Sequence, residues 1–113
     1  MATRFLYVTA ANAEQAKTIG EALVAERLVA CVNILSPMSS IYWWQGQIQR
    51  YTEAVMIAKT RAELVEQVIA RVKALHSHTV PCVVSLAVEG GNPAFLQWIA
   101  DETNPASGKG GPR

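Results

Sequence analysis

Charge is missing from the middle of this chain. Between Leu28 and Gln49 the sequence LVACVNILSPMSSIYWWQGQIQ carries no charged side chain, yet two of the three tryptophans stand there side by side. Unpaired charge is costly wherever a surface is dried, so a stretch without it is expected to be covered. The cover is not a bilayer. Asn33, Ser36, Pro37, Ser39, Ser40 and Gln45 interrupt the run, and a spanning helix needs about 18 to 20 unbroken apolar residues. Strands buried on both faces, or an edge strand buried by another subunit, remain. In a chain of 113 residues the second is the simpler expectation.

Other scarcities narrow the field. Only 17% of residues are charged while 50% are hydrophobic. Globular domains average about 25% charged, so the shortfall points to more buried surface than a free monomer of this size offers. The net charge is +1 with Lys and Arg spread along the chain, which leaves no footprint for a nucleic-acid backbone. The two cysteines, Cys31 and Cys82, lack the CxxC spacing of a redox or zinc motif and are expected to be buried free thiols. The single aspartate is Asp101; no Ser, His and carboxylate constellation is readable and no Gly-rich phosphate loop follows a strand, so no enzyme is expected. Glu89-Gly90-Gly91-Asn92 reads as a turn and helix cap, with anion binding at the helix N-terminus as the alternative. Near the N-terminus the apolar run Phe5 to Val8 is too short for a secretory h-region, and a cytoplasmic, non-membrane protein is expected.

What is present alternates between two hydrophobic periods. Arg4 to Thr9 reads as a strand. Asn12 with Gln15 forms a capping box for a helix whose Ala16, Ile19, Leu23 and Val24 recur at helical spacing up to Arg27. A second strand, Ala30 to Leu35, breaks at Ser36-Pro37 and resumes from Ser40 to Trp44. Gln45-Gly46 is the turn. The return strand spans Gln47 to Lys59, with Ala54, Met56 and Ala58 on one face and Val55 and Ile57 on the other. Thr60-Arg61-Ala62-Glu63 has the form of a capping box opening a helix with a stripe of Leu64, Val68, Val72 and Leu75. Cys82 to Val88 is the fourth strand, and Asn92-Pro93 launches a last helix through Phe95, Leu96, Ile99 and Ala100. One domain is expected over residues 1–103, followed by a Gly- and Pro-rich disordered tail over 104–113.

The order βαββαβ plus a terminal helix is the ferredoxin-like split pattern of the α+β class, an antiparallel sheet with helices on one face. The first and third strands are then central and the second and fourth are edges. Cys31 opens one edge and Cys82 the other, so no intrachain disulfide is expected, because one needs Cα atoms within about 7 Å. The hairpin of the second and third strands has arms of roughly fifteen residues against a common length of about six, and must project beyond its helices. An uncharged projecting edge is an aggregation hazard unless paired, which predicts a closed ring of subunits.

Several separated blocks now fall into one order: Ala30-Cys31-Val32-Asn33-Ile34, Ser40-Ile41-Tyr42-Trp43-Trp44-Gln45-Gly46, Glu53, Lys59-Thr60, His76, Pro81 and Gly91-Asn92-Pro93 with Trp98. Together they resemble the CutA family of divalent-cation tolerance proteins, over roughly Arg4 to Ile99. The resemblance implies a ferredoxin-like homotrimer of the kind also seen in PII signalling proteins, a role in tolerance of copper or other divalent ions, and no established reaction. One departure stands out. Where the family usually has a tyrosine and two glutamates around the proline, this chain reads His76-Ser77-His78-Thr79-Val80-Pro81-Cys82. Imidazole and thiol are softer ligands, suited to copper or zinc.

Cys31, His76, His78 and Cys82 are therefore the candidate metal ligands. The alternatives are a solvated or helix-capping histidine pair and a Cys31 that is merely a small strand residue. Trp43 and Trp44 point to opposite faces, either both packing at an interface or one lining a cleft. Glu53 and Lys59, spaced evenly on one strand, belong to one face, where with Trp44 they would border an inter-subunit cleft as a structural pair or as contacts to a small ligand. Two classes of function compete: a metal-binding tolerance protein, and a PII-like regulatory scaffold that binds a small anion between subunits.

Overall fold

The computed structural model describes residues 2–104. Its elements are β1 (Thr3–Ala10), α1 (Ala13–Ala25), β2 (Cys31–Trp44), β3 (Gln47–Arg61), a 3-10 turn (Ala62–Leu64), α2 (Val65–Leu75), β4 (Val83–Ala87) and α3 (Pro93–Glu102). The antiparallel sheet has the order β2-β3-β1-β4, which puts β1 and β3 at the centre as the split pattern requires. The tail expected beyond Asn104 lies outside the described residues.

Alternation along the central strands builds the core. Leu6, Val8 and Ala10 of β1 and Ala54, Met56 and Ala58 of β3 share one face. Against them pack Ile19 and Leu23 of α1 and Val68 and Val72 of α2, all fully buried. Val24 departs from the expected stripe and is exposed, because it lies at the flank of the inward face set by Ala16, Ile19, Gly20 and Leu23. A Cβ at Gly20 would stand 2.9 Å from Val32 Cγ2 and 3.2 Å from Met56 Sδ, so the absent side chain is what lets α1 settle onto the sheet.

Three local signals resolve differently from their sequence reading. Asn12 caps α1 by accepting from the Gln15 N–H at 2.8 Å, but the Gln15 side chain reaches back to the Ala11 N–H rather than to Asn12. Thr60 caps nothing. Its residue still belongs to β3, opposite Arg4, and its hydroxyl donates to the Leu28 carbonyl at 2.6 Å, while Glu63 ion-pairs with Arg61. The chain therefore enters α2 through the 3-10 turn without a side-chain cap. At the last helix the reading holds: Asn92 accepts from the Ala94 N–H at 3.1 Å and Pro93 occupies the first turn.

The hairpin projects as expected, its tip turning at Gln45 (φ 51°) and Gly46 (φ 79°), the paired positive φ values of a type I′ turn. Pro37 does not end β2. Leu35 faces Val55 and Met38 faces Glu53, so β2 spends three steps where β3 spends two, a bulge at the residue that has no N–H to give. The sheet order separates Cys31 from Cys82 by three strand spacings, about 14 Å, and both thiols are free, Cys82 exposed and Cys31 only partly buried rather than sealed in the core.

Gly20→Val should overfill the α1–sheet contact and cost about 1–3 kcal/mol. Urea denaturation should show a lower midpoint with an unchanged slope; an unchanged midpoint would mean that α1 is not held at this distance.

Candidate functional site

The bulge decides which side chains of the hairpin look inward. Before it, Cys31, Asn33 and Leu35 share the helix-free face with Lys59, Ile57 and Val55; after it, Met38, Ser40, Tyr42 and Trp44 stand with Glu53, Tyr51 and Gln49. Trp44 accordingly lines a cleft, and Trp43 is turned away and 72% exposed. The cleft has a volume of about 890 Å³. Its second wall is β1, through Tyr7 and Thr9, and the loop from His78 to Cys82.

That loop is fastened by His76. Its Nε2 lies 2.7 Å from the Thr9 carbonyl oxygen and its Nδ1 accepts the His78 N–H at 3.0 Å. A carbonyl only accepts, so Nε2 carries the proton and the ring is a neutral tautomer with both nitrogens in use. Gln15 reinforces the loop by donating from Nε2 to Ser77 Oγ at 2.7 Å. The His78 ring packs 4.7 Å from that of His76, centroid to centroid, and hydrogen-bonds to no described side chain.

The four expected ligands are not one set within a chain. His78 and Cys82 share the cleft. His76 is beside them, but ligating through either nitrogen would break a bond that holds the loop. Cys31 lies at the far end of the sheet, opposite Lys59. Among the described residues no three His, Cys, Asp or Glu side chains are placed to hold a single ion.

Glu53 and Lys59 share a face, as expected, but not a site. Six residues of strand, about 20 Å, separate them. Lys59 donates to Asn33 Oδ1 and lies 5.6 Å over the Phe5 ring, which satisfies its charge locally. Glu53 is 7% exposed, and the ion pairs of the described residues are Arg27–Glu102, Arg61–Glu63 and Arg71–Glu26, so none serves it. Its carboxylate faces the cleft opposite Met38, whose sulfur accepts from the Tyr7 hydroxyl at 3.7 Å. Tyr42 and Tyr51 stack above it with centroids 6.2 Å apart. The Tyr42 hydroxyl is pushed above the ordinary phenol value by desolvation first, and then by the Glu53 charge and by Tyr51. Met38 and Tyr42 escape a sequence reading because only the bulge brings β2's even-numbered residues to this side, and Tyr7 and Tyr51 because they reach the cleft from two other strands.

A ferredoxin-like sheet with an overlong hairpin, and a cleft at the hairpin's root, define a small α+β domain. The pattern of the CutA1 divalent ion tolerance protein family matches residues 4–102, and the chain belongs to that family. It is 46% identical over 99 residues to the divalent-cation tolerance protein CutA of Archaeoglobus fulgidus, covering 88% of this chain and 95% of that one. The solved structure of the periplasmic divalent cation tolerance protein CutA from the same organism superimposes with a TM-score of 0.87 at 42% identity, over 89% of this chain and 98% of the other. CutA1 from Oryza sativa gives a TM-score of 0.90 at 37% identity, over 93% and 96%.

His76→Ala should free the loop from β1. Removing a partner from part-buried groups costs about 1–3 kcal/mol, and amide exchange over residues 77–82 should accelerate while that of α1 stays slow. Uniform acceleration across the molecule would show that His76 supports the whole fold rather than the loop.

Proposed function

We propose that this chain is a homotrimeric, cytoplasmic divalent-cation tolerance protein that binds a thiophilic ion, copper foremost, and turns over no substrate. The observation that carries the reading is the donor set of the cleft. His78, Cys82, Met38 and Glu53 all line it, and no Lys or Arg is among the described lining residues. Imidazole, thiol and thioether favour copper over magnesium or calcium. An anionic ligand would need a cation that this wall does not supply, which weighs against the PII-like alternative. His78 and Cys82 are the proposed ligands, with His76 holding their loop; Cys31 stays outside the set.

The trimer is supported by what a single chain leaves wet. Leu35, Ile41, Trp43, Val84 and Leu86 are between 48% and 72% exposed, more apolar surface than a monomer comfortably presents. Free thiols suit a reducing compartment. The periplasmic designation of the Archaeoglobus protein makes fractionation of the native host worth performing beside the binding assays.

Calorimetry with copper should show one saturable site per chain, weakened at least about tenfold in His78→Ala with Cys82→Ser and weakened by acid, because protons compete for imidazole and thiolate. Equal binding by the variant and the unmodified protein would remove the site. Sedimentation should give a trimer at micromolar concentration, and Ile41→Lys should release monomers or aggregates. A stable monomer of the unmodified protein would end the assembly proposal.

A further inference from the structure

We propose that α3 is a releasable strap, held closed by a clasp of two arginines borrowed from other elements, Arg27 and Arg61, and opening before the rest of the fold when that clasp is broken or screened. This device does not rest on the metal reading, since neither arginine lines the cleft.

Left to itself, α3 is poorly equipped to stay folded. A helix ends on carbonyl groups without partners and on the negative end of its dipole, where a cation is favourable and a carboxylate is not. The last turn of α3 carries Asp101 and Glu102 and no basic residue. The helix has 10 residues, fewer than the roughly 12 to 15 at which an isolated helix becomes even marginal. Of these residues only Ile99 and Ala100 are buried. Its N-terminal end is secured by the Asn92 cap and Pro93, so the weak end is the C-terminal one.

The cations that the last turn lacks come from elsewhere in the chain. Arg27 Nη1 donates to the Glu102 carbonyl oxygen at 3.0 Å and lies 3.3 Å from Glu102 Oε1. Arg61 donates from Nη2 to the Thr103 carbonyl oxygen at 3.0 Å and from Nε to Thr103 Oγ1 at 3.1 Å. Arg27 does this from a position that sterics assign to glycine. It follows the last turn of α1, where the Leu28 N–H returns to the Leu23 carbonyl and the Arg27 N–H to the Val24 carbonyl, both at 3.0 Å, in the Schellman pattern, and its φ is 57°. A left-handed residue with a Cβ is strained, and such strain persists where the surroundings require the side chain. The end of α1 would be better served by glycine, which has no guanidinium, so Arg27 is there for α3. The same Arg27–Glu102 pair helps line a slot between α1 and α3 beside Val29, Ala30 and Trp98. Its side chains are 34% and 16% exposed, within reach of salt.

Amide hydrogen exchange of the full-length protein at low salt is the test. Arg27→Gly is the decisive variant, because it removes the guanidinium while relieving the backbone. Amides of residues 97–103 should then exchange at least about tenfold faster, whereas the Leu28 amide should exchange no faster than in the unmodified protein. Arg61→Met should loosen the same segment; the exposed pair with Glu63 that it also loses is worth little. Raising sodium chloride to about 1 M, where the screening length falls to about 3 Å, should speed exchange over 97–103 several-fold in the unmodified protein. The effect should be much smaller in Arg27→Gly with Arg61→Met, which has no clasp left to screen. Amides of β1 and β3 should stay slow throughout. The proposal is overturned if Arg27→Gly leaves residues 97–103 as slow as before, if salt acts equally on the unmodified and doubly substituted proteins, or if β1 and β3 accelerate to the same extent as α3, which would make the arginines supports of the whole fold.

Discussion

β3 is hydrogen-bonded along nearly its whole length, to β2 from Gln47 to Lys59 and to β1 from Ala54 to Arg61. Every other feature takes its position from that double pairing. Its inner half is buried on both faces, by the helices on the side of Ala54, Met56 and Ala58 and by its neighbours on the side of Val55 and Lys59. Its outer half has only β2 beside it. The change from buried to exposed falls at Glu53, where the β2 bulge also falls, and so the one carboxylate on this strand is at the root of the hairpin, half inside the sheet and half at its rim.

Much of this was legible because it rests on periodicity and on turn chemistry. The βαββαβ order, the central placing of β1 and β3, the Gln45-Gly46 turn and the Asn92-Pro93 cap follow from signals that no tertiary contact opposes. Thr60-x-x-Glu63 shows the opposite case. The motif is sound as local chemistry, but a capping hydroxyl and a strand hydroxyl compete for one residue, and eight ladder pairs with β1 outweigh one cap worth about 1 kcal/mol. Val24 failed for a different reason: it follows Gly20 by one helical turn and lies at the flank of the face that Ala16, Ile19, Gly20 and Leu23 bury.

The site was less legible than the fold because strand parity is not stored in the strand that shows it. Trp44 is the tryptophan expected at the cleft, yet nothing between Ser40 and Trp44 fixes that choice over Trp43. The decision lies upstream, in whether Pro37 ends the strand or is absorbed as an extra residue. The ligand set joined residues that the strand order keeps apart: Cys31 and Cys82 are equivalent as chemical types, but the split pattern sets them on opposite edges of the sheet, where they cannot share an ion within one chain. His76 and His78 do come together, yet the hydrogen bonds that make the first a fastener also disqualify it as a ligand, and one of those bonds runs to Thr9, which is 67 residues away in sequence.

The two walls of the cleft are thus held by different means. The hairpin wall is set by backbone register, which changes only in whole residues and cannot drift. The loop wall is set by a single imidazole between the Thr9 carbonyl and the His78 N–H, joined by one glutamine contact, and such isolated bonds, exposed or only part-buried, open far more readily than a ladder. Motion in the cleft should therefore be confined to the side that bears His78 and Cys82, while Glu53 and its tyrosines stay fixed. A soft-metal ligand pair gains from that freedom, since it must close around an ion.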